Sequence, residues 1–191
     1  MARTAEIRVS HQQFTIASRG VVAIPSGNMD RLVERAEGFL IIYTGTFWGP
    51  VKLTISTDAN DLLTIDDSEW DAIEEGVFES SDTLQVETND GSAWTQFENI
   101  NNLPSSGLIK YRAHARGRVD VWGQDISDAR EEHLLVLWPS PSSSDSGDPS
   151  RIIKSDGKNV NVEQLGVVRD QSDVGDDRVK IMGPFIFGKD S

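Results

Sequence analysis

Short runs in which apolar and polar residues alternate with period two recur along the chain. That period belongs to a half-buried β-strand and excludes a mainly helical fold. Residues 6–16 alternate with a polar break at 10–13, and 51–55, 83–88 and 108–118 repeat the pattern. Residues 38–46 are dense in β-branched and aromatic side chains, and 133–139 form a nearly continuous apolar run closed by Pro139. Turn chemistry separates the runs. Trp48-Gly49-Pro50 breaks the 38–46 run, residues 58–61 and 103–107 are turns, and Asn89-Asp90-Gly91 is a hairpin signal. The spacing predicts one hairpin pairing 38–46 with 51–55, and another returning 93–97 against 83–88.

Two short segments read as helical. Met29, Leu32, Val33 and Ala36 fall at i, i+3, i+4 and i+7 behind Ser26 and Asn28 as caps. Asp67 or Ser68 caps a second segment that runs through Glu75 and stops at Gly76. No strand–helix–strand alternation and no glycine-rich phosphate loop occurs. The expected fold is therefore mainly β, an antiparallel β-sandwich or barrel with one or two short helices. Residues 1–139 read as the β-rich globular domain, 140–150 as a Ser/Pro/Asp linker, and 151–191 as a C-terminal extension. That extension is too short for a core of its own, so it docks back or reaches a second copy of the chain, forming a homo-oligomer.

The absence of cysteine excludes disulfides and thiolate chemistry and fits a reducing cytoplasm. The N-terminus has no apolar signal core, and the longest apolar stretches, 39–43 and 134–138, are too short to span a bilayer. A cytoplasmic protein without a membrane partner is expected. Thirty-one acidic residues against eighteen basic ones give a net charge of −13, which repels nucleic acid and attracts a basic protein.

Motifs for chemistry are sparse. Three histidines, none in an HxH or HExxH pair, set out no zinc site, although His114 and His133 would meet if their strands were neighbours. Residues 170–177, DQSDVGDD, miss the calcium-loop pattern at Val174 and Ile181. There is no Gly-x-Ser-x-Gly, and nothing selects a carboxylate pair for hydrolysis. No catalytic residue, metal ligand or cofactor is assigned, and an enzyme is not the favoured class. The most unusual local feature is the 108–118 strand. Lys110, Arg112, His114, Arg116 and Arg118 make it a basic strand, the first four sharing one face with Leu108, while Ile109, Tyr111, Ala113 and Ala115 lie opposite. Such a face contacts phosphates or carboxylates of a partner, or is balanced by acids of an adjacent strand.

Several segments carry a family likeness. Residues 9–16, VSHQQFTI, resemble the S-x-H-Q-F opening of the ComJ competence proteins, inhibitors of a DNA-entry nuclease. Residues 70–76, WDAIEEG, resemble the W-x-x-A-I-E-x-G segment of that family, and Leu103-Pro104 through Tyr111 resemble its L-P-x-G-x-Y step. Residues 111–118 and 132–139 are also similar to uncharacterised actinobacterial proteins with R-x-H-A-R-G-R and L-x-x-W-P patterns. The likeness covers roughly residues 6–139. It implies a non-catalytic acidic binding module, an inhibitor or immunity-type protein against a nuclease or toxin. The expected contacts are Asp66, Asp67, Glu69, Glu74 and Glu75, with Trp70 as anchor. The opposing reading packs Trp70 against the sheet and leaves Asp67 as a turn cap. The alternative functions are a small-molecule or sugar-binding β-barrel and a hydrolase with a spatially assembled site.

Overall fold

The structure, a computed structural model, describes residues 2–24, 31–87, 94–141 and 150–157. It is mainly β, as the alternation requires. Ten strands are built: β1 Arg3–Ser10, β2 Gln13–Ser18, β3 Val33–Ala36, β4 Phe39–Tyr43, β5 Trp48–Ser56, β6 Ala72–Ser80, β7 Leu84–Glu87, β8 Gly107–Arg116, β9 Glu132–Pro139 and β10 Arg151–Lys154. Three 3₁₀ turns join them: η1 Ala59–Leu63, η2 Asp67–Glu69 and η3 Thr95–Phe97.

The strands form one curled mixed sheet, a half-barrel. Six lie in the order β10-β6-β8-β9-β5-β1, and four in the order β7-β2-β4-β3. A single pair, Ser10↔Gln13, carries the sheet from β1 to β2 around a corner. The expected antiparallel sheet is corrected at β5 and β9, which run parallel from Lys52↔Glu132 to Ser56↔Val136. A parallel neighbour needs a long crossover, and residues 57–131 with β6, β7 and β8 provide it.

The concave side is filled. Ile7 and Val9, Phe14 and Ile16, Leu40 and Ile42, Val51 and Leu53, Ile109 and Tyr111, and Leu135 and Leu137 meet there in one apolar cluster. Each pair comes from alternate positions of its strand, so period two decides which side chains are core. Behind β2 and β4 a smaller cluster of Ala17, Phe39, Ile41 and Tyr43 is covered by Val21, Ala23 and Trp122.

Four local expectations are corrected. Leu32, Val33 and Ala36 do not form a helix; β3 pairs with β4 from Val33↔Ile42 to Ala36↔Phe39. The β-branched run Phe39–Tyr43 pairs on both edges, with β2 and β3, and that pairing outweighs a weak helical period. For the same reason 38–46 does not form a hairpin with 51–55, since β5 pairs with β1 and β9. Residues 72–80 are strand throughout, and η2 ends at Glu69. Gly76 lies in mid-strand, where a Cβ would sit 2.8 Å from the Tyr111 hydroxyl, so it makes room for a ring rather than stopping a helix. Thr95–Phe97 is a 3₁₀ turn whose Phe97 plugs the core, and β7 pairs with β2 instead. The turn at 89–91, the segments 160–168 and 179–187, and the 170–177 loop lie outside the described residues. Among the described residues, no helix is long and apolar enough to cross a membrane.

Candidate partner-binding face

The convex side of β1, β5, β9, β8 and β6 carries the charges. On β8 it presents Lys110, Arg112, His114 and Arg116, while Ile109, Tyr111, Ala113 and Ala115 are fully buried on the other side. Residues 57–71 run over this face, and the sequence-predicted contact residues lie along that crossing and on β6.

The strand period splits the two neighbouring glutamates. Glu75, paired with Arg112 in register, faces outward. Its carboxylate lies 3.6 Å from Arg112 and 2.7 Å from Arg151. Glu74 points the other way and is 1 % exposed. It is 2.8 Å from the Arg31 guanidinium and accepts a hydrogen bond from the Val33 amide. Burial raises its pKa despite the pull of Arg31. Glu74 therefore holds β3 against β6 and is closed to a partner.

Asp66 caps η2 by accepting from the Ser68 amide at 2.9 Å, and the Ser68 hydroxyl first, then that amide, lower its pKa. Asp67 accepts from Arg112 at 2.5 Å and stands 3.6 Å from His114. Glu69 reaches Arg116 at 3.5 Å. Trp70, expected as an anchor, is 8 % exposed. Its ring lies under Arg116, 5.0 Å from the guanidinium carbon, and 5.4 Å from His114. The structure thus brings Asp67, Glu69, Trp70 and Glu75 together around the basic face of β8, with Asp66 as the cap of the same turn. Burial lowers the pKa of His114, with Arg112 adding to the effect, so the ring sits neutral under Trp70.

The ion pairs continue across the sheet. Arg116 bridges Glu69 to Glu132 at 2.8 Å, and Glu132 meets Lys52 on β5 at 3.4 Å. Lys52 is in register with Glu6 of β1, which is exposed. A ribbon of alternating charge therefore runs from η2 to β1. Each exposed pair contributes little stability alone, but the pattern fixes where a charged partner fits.

Sequence reasoning missed a buried polar knot at the β1–β2 corner. Glu131 is fully buried and accepts from the Gly45 and Thr46 amides, the Thr46 hydroxyl and His133 Nε2, all at 2.8–3.0 Å. Burial alone would raise its pKa; His133 and the two amides outweigh that and hold the carboxyl below its usual range. His114 and His133 stand on neighbouring strands one register step apart, so they face opposite sides and do not meet. Arg118, expected with the basic strand, lies past the end of β8 and is corrected to a buried position, its guanidinium paired with the covered Asp156 carboxylate at 2.8 Å beside a cavity of about 10 Å³ lined by Arg31, Glu74 and Lys154. That volume holds one water molecule. Only a polar residue inside an apolar frame would have flagged the buried carboxylate, and Glu131 sits in loop-like sequence. Among the described residues, no three acidic or histidine side chains are grouped to hold a metal ion.

Among solved structures the chain is similar to ComJ from Bacillus subtilis, inhibitor of the DNA degrading activity of NucA, with a TM-score of 0.51 and 9 % identity, over 72 % of this chain and 96 % of that one. At that identity the likeness is one of fold. No family model and no curated protein matches the chain.

Proposed function

We propose that this protein is a non-catalytic binding module of the inhibitor type, directed at a nuclease or toxin with a basic surface, and acting in the cytoplasm. The observation that carries the reading is a fold shared with a nuclease inhibitor, in a chain whose net charge is −13. A cleft that binds DNA is cationic, and an acidic protein enters it along the same field as the substrate. The convex ribbon is the proposed contact face. Asp66, Asp67, Glu69 and Glu75 supply its carboxylates, while Trp70 and Glu74 position that turn and strand from below. A partner's cations bind there by sharing carboxylates already paired with Arg112, Arg116 and Arg151, which favours a partner with matched spacing over any polycation.

The apolar cluster that fills the concave side weighs against the small-molecule or sugar-binding barrel reading. The extension opens with β10 on β6 of its own chain, which favours docking within one chain over exchange between copies.

The test is DNA degradation by NucA titrated with this protein. Inhibition is expected at low salt, weakening about tenfold or more between 50 and 300 mM NaCl as the charged contacts are screened. Inhibition that ignores salt would remove the electrostatic part of the reading.

A further inference from the structure

Of the five tryptophans, Trp48 is the exposed one, at 51 %, against 8 % for Trp70. It begins β5 on the convex side, at the same parity as Lys52, and the ring of His11 packs edge-on against both it and Phe47, at 6.4 and 5.6 Å. A soluble monomer gains nothing by holding an indole and an imidazole on a surface corner, so the way they are held is informative.

That corner is rigid. His11 and Gln12 form a two-residue turn with φ of 56° and 58°, the left-handed region that primed hairpin turns reserve for asparagine and glycine. The turn persists because it is clamped. The Gln12 amide donates to the Phe47 carbonyl, the Thr44 amide donates to the Gln12 carbonyl, and the buried Gln12 side chain donates to the carbonyls of Thr44 and Gly45. Glu131 fastens Gly45 and Thr46 from beneath. The aromatic corner is thus fixed before any partner arrives, which lowers the cost of association.

Its rim is acidic. Asp125 bridges Trp48 through the backbone, and the Ile126 amide donates to the Trp48 carbonyl at 2.9 Å. Residues 119–128 contain Asp120, Asp125 and Asp128 and no lysine or arginine. Arg8 is the exposed cation nearest in register, opposite Pro50. The corner is also continuous with the ion-pair ribbon. Trp48 lies four residues, about 13 Å, from Lys52, and the ribbon crosses about 10 Å more from β5 to β8. A standard interface of about 800 Å² per partner is roughly 30 Å across, so one partner covers both.

We propose that Trp48, framed by His11 and Phe47, is the apolar anchor of this docking face, and that its occupant is the basic rim of a DNA-degrading nuclease's cleft. This rests on the inhibitor reading above. An indole at one end of an otherwise charged contact, with guanidinium and ammonium groups of the partner meeting Asp125 beside it, has the composition of an interface hot spot.

The test is titration calorimetry of the full chain with NucA, comparing Trp48→Ala, Asp125→Lys and, as a control, Val22→Ala, which removes an apolar side chain 79 % exposed on the segment after β2. Matching far-ultraviolet spectra and melting temperatures establish that the variants fold. Trp48→Ala is expected to weaken binding about 30-fold, Asp125→Lys to slow association, and Val22→Ala to change nothing. If the unmodified chain binds and Trp48→Ala loses less than tenfold, the anchor is overturned while the inhibitor reading stands. If the unmodified chain does not bind, the nuclease-inhibitor reading falls and takes the anchor with it.

Discussion

At the scale of single residues, placement on the strand period decides what each acidic group does. Glu74 and Glu75 are neighbours in sequence, yet one is a buried counter-ion for Arg31 and the other a surface group for Arg112 and Arg151. Glu131 is the extreme case, a carboxylate with no exposure that survives because amides, a hydroxyl and an imidazole replace its hydration. Its lowered pKa has a definite sign. The stability it contributes is present above the usual carboxylate value of 4.5 and is lost as pH falls through the folded-state value. Glu131→Gln removes the charge and forces an amide NH₂ or carbonyl onto donors that suit a carboxylate. A loss of about 3 kcal/mol at pH 7 in urea unfolding is expected, with a shallower decline of stability at acid pH than in the unmodified chain. An equal stability for the two proteins at pH 7 would show that the corner does not depend on this carboxylate.

At the scale of elements, alternation in the sequence marked most strands, and it sorted β8 into its basic and buried faces correctly because side-chain direction depends only on parity. Partner strands were not legible. Which edge β5 chooses depends on the crossover through 57–131, a long-range matter that no local run encodes. The helical expectation at Leu32, Val33 and Ala36 failed for the same reason, since the pattern was short and β4 offered a stronger partner. The polar break at 10–13 marked His11 as a strand-end or turn residue, but not the left-handed two-residue form of that turn, since histidine and glutamine are not its usual residues. At the candidate site, the acidic residues of η2 and the basic strand were each visible, but their mutual pairing was not. β10 shows how the chain treats an open edge. It covers β6 with four exposed residues, held by Arg151 on Glu75, by Lys154 on the carbonyls of Asp67, Ser68 and Trp70, and by Asp156 on Arg118. Asp156→Ala leaves Arg118 buried without that carboxylate. Faster hydrogen exchange in residues 73–79 is expected, together with a loss of stability of about 3 kcal/mol. Unchanged exchange on β6 would mean that β10 is held by other contacts.

At the scale of the whole molecule, two properties act together. The concave side is a packed core, which is why the proposed contact is on the convex face, and the net charge favours the approach of a cation there. The face itself is not simply acidic. It alternates charge from Glu69 through Arg116 and Glu132 to Lys52, then ends at an aromatic corner beside Asp125. In the proposed complex, long-range attraction sets the rate of encounter, and the short-range pattern sets which basic protein is retained. Occupation of the substrate cleft is the central claim, and competition tests it directly. NucA bound to a fluorescent, non-hydrolysable phosphorothioate duplex is titrated with this protein while anisotropy is followed. Displacement of the duplex as a one-to-one protein complex forms is the predicted result. A ternary complex that keeps the duplex bound, or an unchanged anisotropy at saturating protein, would contradict it.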